Sequence, residues 1–184
     1  MFLTRYFFEG DILYLKCYSK INKIKVFLSS SMQNEKYKEQ RDIIDNYFSR
    51  MPLFDCFLIE NNASPQDVKT NYRNEVKESD IIILILQNDL RQGVYDEYQT
   101  AIANKKRILA YIHSGQKKQK LKNFIKSDLQ ENVTTYTFSE ISELIDKIEE
   151  GLFKDIIRIY KNYTIFIEKS EETQITSNSE VRKF

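Results

Sequence analysis

The sequence predicts a doubly wound α/β fold built on a mainly parallel sheet of five strands, and three patterns carry that prediction. Short apolar runs alternate with amphipathic stretches of helical length from Lys23 to Glu149. The most apolar run, Asp80 to Leu86 (DIIILIL), is rich in β-branched residues and does not alternate, as a strand covered on both faces requires. Each predicted strand is followed by a helix, so right-handed crossovers would join parallel neighbours.

In order, Lys25 to Ser29 (KVFLS) is the first strand, and Glu35 to Arg50 sets Tyr37, Ile43, Ile44, Tyr47 and Phe48 at largely helical spacing. Phe54 to Glu60 is the second strand. In the following helix Ser64 reads as the N-cap and Pro65 as the first helical residue, Asp67 adds charge to the first turn, and the helix ends near Glu78. The central strand comes next, then a helix from Tyr95 to about Asn104 and a buried strand, Arg107 to Ile112. Gln116 to Gln130 is a lysine-rich helix; Leu121, Phe124 and Ile125 face inward, and Lys117, Lys118, Lys120, Lys122 and Lys126 form a solvated face. Thr134 to Phe138 is the fifth strand. Ser139 caps the last helix, although the acid a capping box needs three residues on is Ser142, with Glu143 one later. That helix carries Ile141, Leu144, Ile145 and Ile148 inward and is expected to continue past Gly151 to Tyr160. Two short β-prone segments, Asp11 to Tyr18 and Tyr163 to Glu168, are expected to pair at an edge. The organisation expected is therefore a β-prone extension at 1–22, an α/β domain at 23–170 and a flexible polar tail at 171–184.

Composition removes several functions. With 28 Lys+Arg against 27 Asp+Glu, binding driven by bulk positive charge is disfavoured, and nucleic acid is not expected as a partner. There are 4 glycines, where average usage gives about 13, and neither a G-x-G-x-x-G nor a G-x-x-x-x-G-K-[ST] loop occurs. One histidine, His113, and two distant cysteines, Cys17 and Cys56, do not make a metal cluster or a disulfide framework. No apolar stretch approaches the roughly 20 residues of a membrane span, and the start has no signal-peptide pattern. A cytoplasmic protein with reduced, buried thiols is expected.

In an open parallel sheet, ligands lie beyond the carboxyl ends of the strands. The candidate loops are Ser29-Ser30-Ser31-Met32, Glu60-Asn61-Asn62, Gln87 to Glu97, and His113-Ser114-Gly115. The three serines offer hydroxyls to a phosphate or ribose, or else cap the next helix. In Gly93-Val94-Tyr95-Asp96-Glu97-Tyr98-x-x-Ala101, Glu97 and Ala101 share a helix face, so a small residue seats the helix near the sheet and Glu97 projects toward the cleft. Alternatively, Glu97 merely answers the helix dipole. Gly93 and Tyr95 stand beside it as substrate-binding candidates. Arg41 and Arg91 are candidates for a pyrophosphate, with Arg41 otherwise on a solvated helix face. Asp80 and Asp96 are possible acids, Asp80 otherwise a cap, and His113 is read as a ring satisfied by loop backbone.

These residues resemble a known group. VFLSSSMQNEKYKEQR (Val26 to Arg41), Ser64-Pro65, Glu75-Val76-x-x-Ser79-Asp80-Ile81 and Gly93-x-x-x-Glu97-Tyr98-x-x-Ala101 followed by Lys105-Lys106-Arg107-Ile108-Leu109 are similar to the superfamily of TIR domains, nucleoside 2-deoxyribosyltransferases and bacterial TIR-like domains. The resemblance spans Lys23 to Glu149 and is strongest to the bacterial TIR-like group. SSSM replaces the serine-tyrosine or serine-histidine pair of many TIR domains, tryptophan is absent, and Gly93 gives a transferase-like G-x-x-x-E. The resemblance implies a TIR- or flavodoxin-like sheet, and an N-glycosidic bond cleaved at Glu97 with Ser29, Ser30, Ser31, Asp80, Gly93, Tyr95 and Arg41 binding substrate. It also implies self-association or a partner protein. NAD is the expected substrate, not a cofactor, because nicotinamide departs neutral and needs no acid. A bacterial defence or toxin effector that hydrolyses or cyclises NAD is the leading expectation. A nucleoside or nucleotide deoxyribosyltransferase or hydrolase is the second, and a non-catalytic interaction or ligand-sensing module the third.

Overall fold

The computed structural model describes residues 23–61 and 65–181, with side chains to residue 165. Five strands, β1 (Ile24–Ser30), β2 (Phe54–Phe57), β3 (Ile81–Leu86), β4 (Arg107–His113) and β5 (Thr135–Phe138), form one all-parallel sheet in the order β2-β1-β3-β4-β5. The register sets Leu28 beside Ile83, Leu84 beside Ala110 and Tyr111 beside Tyr136. The apolar run of β3 lies at the centre, each of its six residues at most 3% exposed. Its alternate side chains must therefore meet apolar cover on both faces, which explains the missing alternation. On one of these faces Ile82 joins Phe27, Tyr72, Val76 and Ala101, and farther along the same face Leu84 and Leu86 join Val94, Tyr98, Ala110, Leu121 and Phe124. The expected doubly wound α/β fold is the one observed.

Helices α1 (Glu35–Ser49), α2 (Val68–Glu78), α3 (Gln92–Ala103), α4 (Gln119–Phe124) and α5 (Ile141–Val181) connect or follow the strands, with a 3₁₀ turn at Ile59–Asn61 after β2. Asn34 caps α1, its Oδ1 accepting from the Tyr37 amide at 3.0 Å. The cap of α2 is Asp67, which accepts from the Thr70 amide at 3.0 Å and the Thr70 hydroxyl at 2.6 Å. That carboxylate is met on two sides by Thr70, so the helix begins later than the Ser64-Pro65 signal predicts; Ser64 itself lies outside the described residues. At the other end of the chain, Glu143 reaches back to the Ser139 amide at 2.8 Å, closing the cap with an acid one position later than the motif prescribes.

Two predicted elements are corrected. The lysine-rich helix is short, and after α4 the chain makes a π turn at Ile125–Leu129. There Asp128 accepts from the Tyr98 hydroxyl at 2.8 Å and the Gln99 amide at 3.1 Å, tying the turn to α3. Tyr163 to Glu168 is not a strand but part of α5. Its β-branched and aromatic content matches strand propensity, yet no Gly or Pro stands between Leu152 and Val181, and extending an existing helix is far cheaper than starting a strand. The backbone from Glu171 to Val181 is likewise helical where a flexible tail was expected.

The chain divides into units Met1–Ile145 and Asp146–Phe184. The second unit is the body of α5, laced by Lys147–Glu150 at 3.0 Å, Lys154–Glu150, and Arg158–Asp155 at 2.6 Å. The extension at 1–22, including the Asp11 to Tyr18 segment and Cys17, lies outside the described residues. Among the described residues no helix is long and apolar enough to cross a membrane.

Candidate active site

Strand order reverses at β1, whose neighbours β2 and β3 are reached by connections running in opposite directions, and such a point opens a crevice at the carboxyl ends of the strands. A cleft of about 350 Å³ lies there, lined by Ser30, Ser31, Met32, Gln33, Ile59, Val68, Tyr72, Arg91, Gly93, Val94 and Glu97. This volume is at the lower end of small-ligand sites.

Glu97 is the buried acid of the cleft. It sits in α3, 9% exposed, and the Ser29 hydroxyl at the end of β1 donates to its Oε2 at 2.5 Å. Ala101, one turn on and fully buried against Phe27 and Ile82, lets α3 lie close enough for this contact. Oε1 makes no hydrogen bond among the described residues. Burial pushes the carboxyl up to about 7; the Ser29 hydrogen bond and the Arg41 charge oppose that rise, and the Glu60 and Asp96 charges add to it. A buried carboxyl with a raised pKa, lining a cleft, makes Glu97 a functional-site candidate.

Behind the serines stands a buried brace. Arg41 is 2% exposed, so the solvated-face alternative is wrong, and its donors are all turned to protein. Nε and Nη2 meet the Glu60 carboxylate at 2.5 and 2.7 Å, while Nη1 donates to Ser30 Oγ at 2.8 Å and approaches the carbonyls of Leu28 and Ser30 at 3.3 and 3.4 Å. Burial works against the Glu60 charge, but the Arg41 hydrogen bonds hold its carboxyl below the usual range. Arg41 does not line the cleft and is committed to Glu60, so it frames the site without reaching a ligand. Because Ser30 Oγ accepts from Arg41, its own proton is available elsewhere. Ser31, 6% exposed, also lines the cleft, and its Oγ has no partner among the described residues.

Two further candidates lie away from the cleft. Asp80 precedes β3 at the opposite, amino edge of the sheet, where its Oδ2 accepts from the Lys25 amide at 2.9 Å; it aligns β3 with β1. Tyr95 turns its ring edge-on to Phe124, with centroids 5.7 Å apart, and packs on the α4 side of α3. Asp96 is held by the Tyr72 hydroxyl at 3.2 Å and the Gln92 amide at 2.7 Å. His113 Nδ1 accepts from the Gly115 amide at 3.0 Å, as read from the sequence. Cys56 is free, its thiol pushed up to about 12 by burial.

The structure thus brings Ser29, Ser30, Ser31, Gly93 and Glu97 together. Tyr72, Gln33 and the bracing of Arg41 by Glu60 escape sequence reasoning. Tyr72 shares a helical stripe with Val76 and reads as core, and nothing local links an arginine in α1 to a glutamate 19 residues on. Among the described residues no group of three or more His, Cys, Asp or Glu side chains could hold a metal ion.

Two solved structures share the fold. The Clostridium botulinum CMP N-glycosidase BcmB superposes with a TM-score of 0.51 at 17% identity, covering 68% of this chain and 98% of that one. A conserved protein from Enterococcus faecalis V583 superposes with a TM-score of 0.50 at 14% identity, covering 70% and 99%. No curated protein matches the sequence. Residues 25–171, which take in the described strands from the second residue of β1 onward and the residues lining the cleft, match the family described as a domain of unknown function (DUF4062), and this chain belongs to that family.

Proposed function

We propose that this protein is an N-glycosidase that cleaves the bond between the ribose C1 and the base of a nucleotide, with Glu97 as the carboxylate at C1. The observation that carries this reading is Glu97 itself, buried at the carboxyl ends of β1 and β3 with one oxygen fixed by Ser29. As the C1–N bond breaks, its electron pair leaves with the base and positive charge develops on the sugar. A carboxylate either stabilises that charge until water adds at C1, or bonds to C1 and is then displaced by water. Oε1, the oxygen without a partner among the described residues, is the one suited to face the sugar.

The substrate assigned first is NAD. Asp96 is engaged by Tyr72 and Gln92 and does not line the cleft, so Glu97 is the carboxyl that faces it, and nicotinamide needs no second acid because it departs neutral. Its positive ring would also favour the ionised form of a carboxyl poised near 7. This is TIR-like chemistry, and drawing down NAD or cyclising it would suit a bacterial defence or toxin effector. The fold shared with a CMP N-glycosidase favours a second reading, a pyrimidine nucleotide. Cytosine needs a proton to leave, and the protonated fraction of Glu97 could supply it.

The test is to incubate the protein with NAD and, separately, with CMP, and to follow nicotinamide and cytosine by chromatography for wild type and Glu97→Gln. Release of one base, lost in the variant by roughly three orders of magnitude, supports the reading. Equal rates of base release in the two proteins would remove Glu97 from the chemistry, and ligand binding with no turnover of either compound returns the cleft to a binding module.

A further inference from the structure

We propose that the segment Asp11 to Tyr18, which lies outside the described residues, adds to the sheet as a sixth strand antiparallel to β2 and closes that edge to other chains. The inference is independent of the chemistry assigned to Glu97. β2 is outermost on its side, and among the described residues no strand lies beyond it. The Leu53 carbonyl accepts from the Ile24 amide at 2.9 Å, and backbone groups point alternately to the two sides of a strand. Asp55 and Phe57 therefore turn theirs to β1, and the N–H and C=O of Cys56 point outward. An edge of this kind is a template for another strand.

Reach decides which strand covers it. The other β-prone segment of the sequence, Tyr163 to Glu168, is committed to α5. Residues 19–23 separate Tyr18 from Ile24, the first residue of β1, and such a linker spans about 20 Å at full extension. The strand position outside β2 is two spacings from β1, about 10 Å, whereas the one outside β5 is four spacings away, about 19 Å. The linker reaches the first with slack and the second only when taut. It is also too short for the crossover that a parallel pair needs, so the added strand runs antiparallel.

A groove marks the path. It encloses about 210 Å³ beside β2, and Lys23, Asp45, Phe48, Phe54, Asp55 and Cys56 are among its lining residues. Lys23 is where the described chain begins, so the segment departs from the rim of this groove. The carboxylates of Asp45 and Asp55 complement Lys16 and Lys20 in the arriving chain. Alternation then selects a register with Lys16 opposite Asp55, Tyr14 opposite Phe57, Leu15 opposite Cys56 and Cys17 opposite Phe54. The first pair joins opposite charges and the second two aromatic rings. Leu15 and Cys17 extend the apolar face on which Phe54 meets the Phe48 ring, their centroids 5.8 Å apart.

Disulfide trapping in the whole chain tests the strand. With Cys17→Ser as background, Lys16→Cys and Asp55→Cys would form a non-hydrogen-bonded pair with Cα atoms about 4.5 Å apart, within disulfide range. Mild oxidation should join the two inside one chain, as read by peptide mapping. Lys16→Cys with Thr137→Cys, which probes the β5 edge, should stay reduced; Asp55 and Thr137 are both exposed, so the variants should fold. Hydrogen exchange gives a second reading: the Cys56 amide should exchange at least about tenfold faster in Leu15→Pro than in wild type, with the Ile83 amide unchanged. No bond to position 55, a bond to position 137, a bond formed only between two chains, or a Cys56 amide indifferent to Leu15→Pro overturns the sixth strand.

Discussion

Replacing Glu97 by glutamine should make the protein more stable at alkaline pH, and the size of the gain follows from the carboxyl's surroundings. Its ordinary value is 4.5, and burial in the folded chain lifts it to about 7. Between those two values the folded state holds a proton that the unfolded state has released, so stability falls as pH rises through the window. At about 1.4 kcal/mol per pH unit, the ionised carboxylate costs the fold about 3 kcal/mol once the pH exceeds 7. Glutamine keeps an acceptor for the Ser29 hydroxyl and never ionises. Urea unfolding of both proteins at pH 4.5, 6, 7 and 8 reads the difference directly, with all other titrating groups cancelling between them. The variant should draw level or fall slightly behind at pH 4.5 and lead by about 3 kcal/mol at pH 8. A difference that does not change with pH, or one that shrinks as pH rises, would refute a strained carboxyl at this site.

Four other substitutions probe the surroundings. Ser29→Ala removes the hydroxyl that steadies the ionised form, so the acid limb of the base-release pH profile should move up by about one pH unit; an unmoved limb would show that Ser29 does not act on Glu97. Glu60→Gln leaves the Arg41 guanidinium buried without its counter-charge and should cost about 3 kcal/mol in urea unfolding, whereas a cost near zero would mean the brace is idle. Gly93→Ala should melt within a few degrees of wild type, because its methyl enters open space. Gly93→Phe should fold as well but fill the cleft and abolish ligand binding, and retained binding would place the ligand elsewhere.

Much of the fold was legible because the strands of a buried parallel sheet announce themselves by composition, as Ile81 to Leu86 does. The exception, Tyr163 to Glu168, shows the limit of that signal: the same residue types serve a long helix when nothing breaks it. The site was legible where it depends on sequence-local geometry. Serines at the end of a strand and a glutamate one turn before a buried alanine converge because sheet and helix periodicity fix them. It was illegible where one residue's rotation decides the matter. Tyr95 is two positions from Glu97, about 200° around the helix, and packs on Phe124 instead. Asp80 has the right neighbours in sequence and the wrong end of the strand in space. Arg41 could be placed on α1 from its spacing, but its depth depends on Glu60 from another element.

The π turn after α4 has a consequence for how such chains can diverge. Tyr98, whose hydroxyl it receives, is the immediate neighbour of Glu97, so the turn clamps the back of the helix whose front carries the acid. A wide turn exists only while its additional residue is kept. Loss of one residue between Ile125 and Leu129 would swing Asp128 by about 100° and release Tyr98 and Gln99 together. Insertions and deletions in this outlying segment are therefore coupled to the seating of Glu97, and lineages that keep the acid at work should conserve the length of a loop that never touches the cleft.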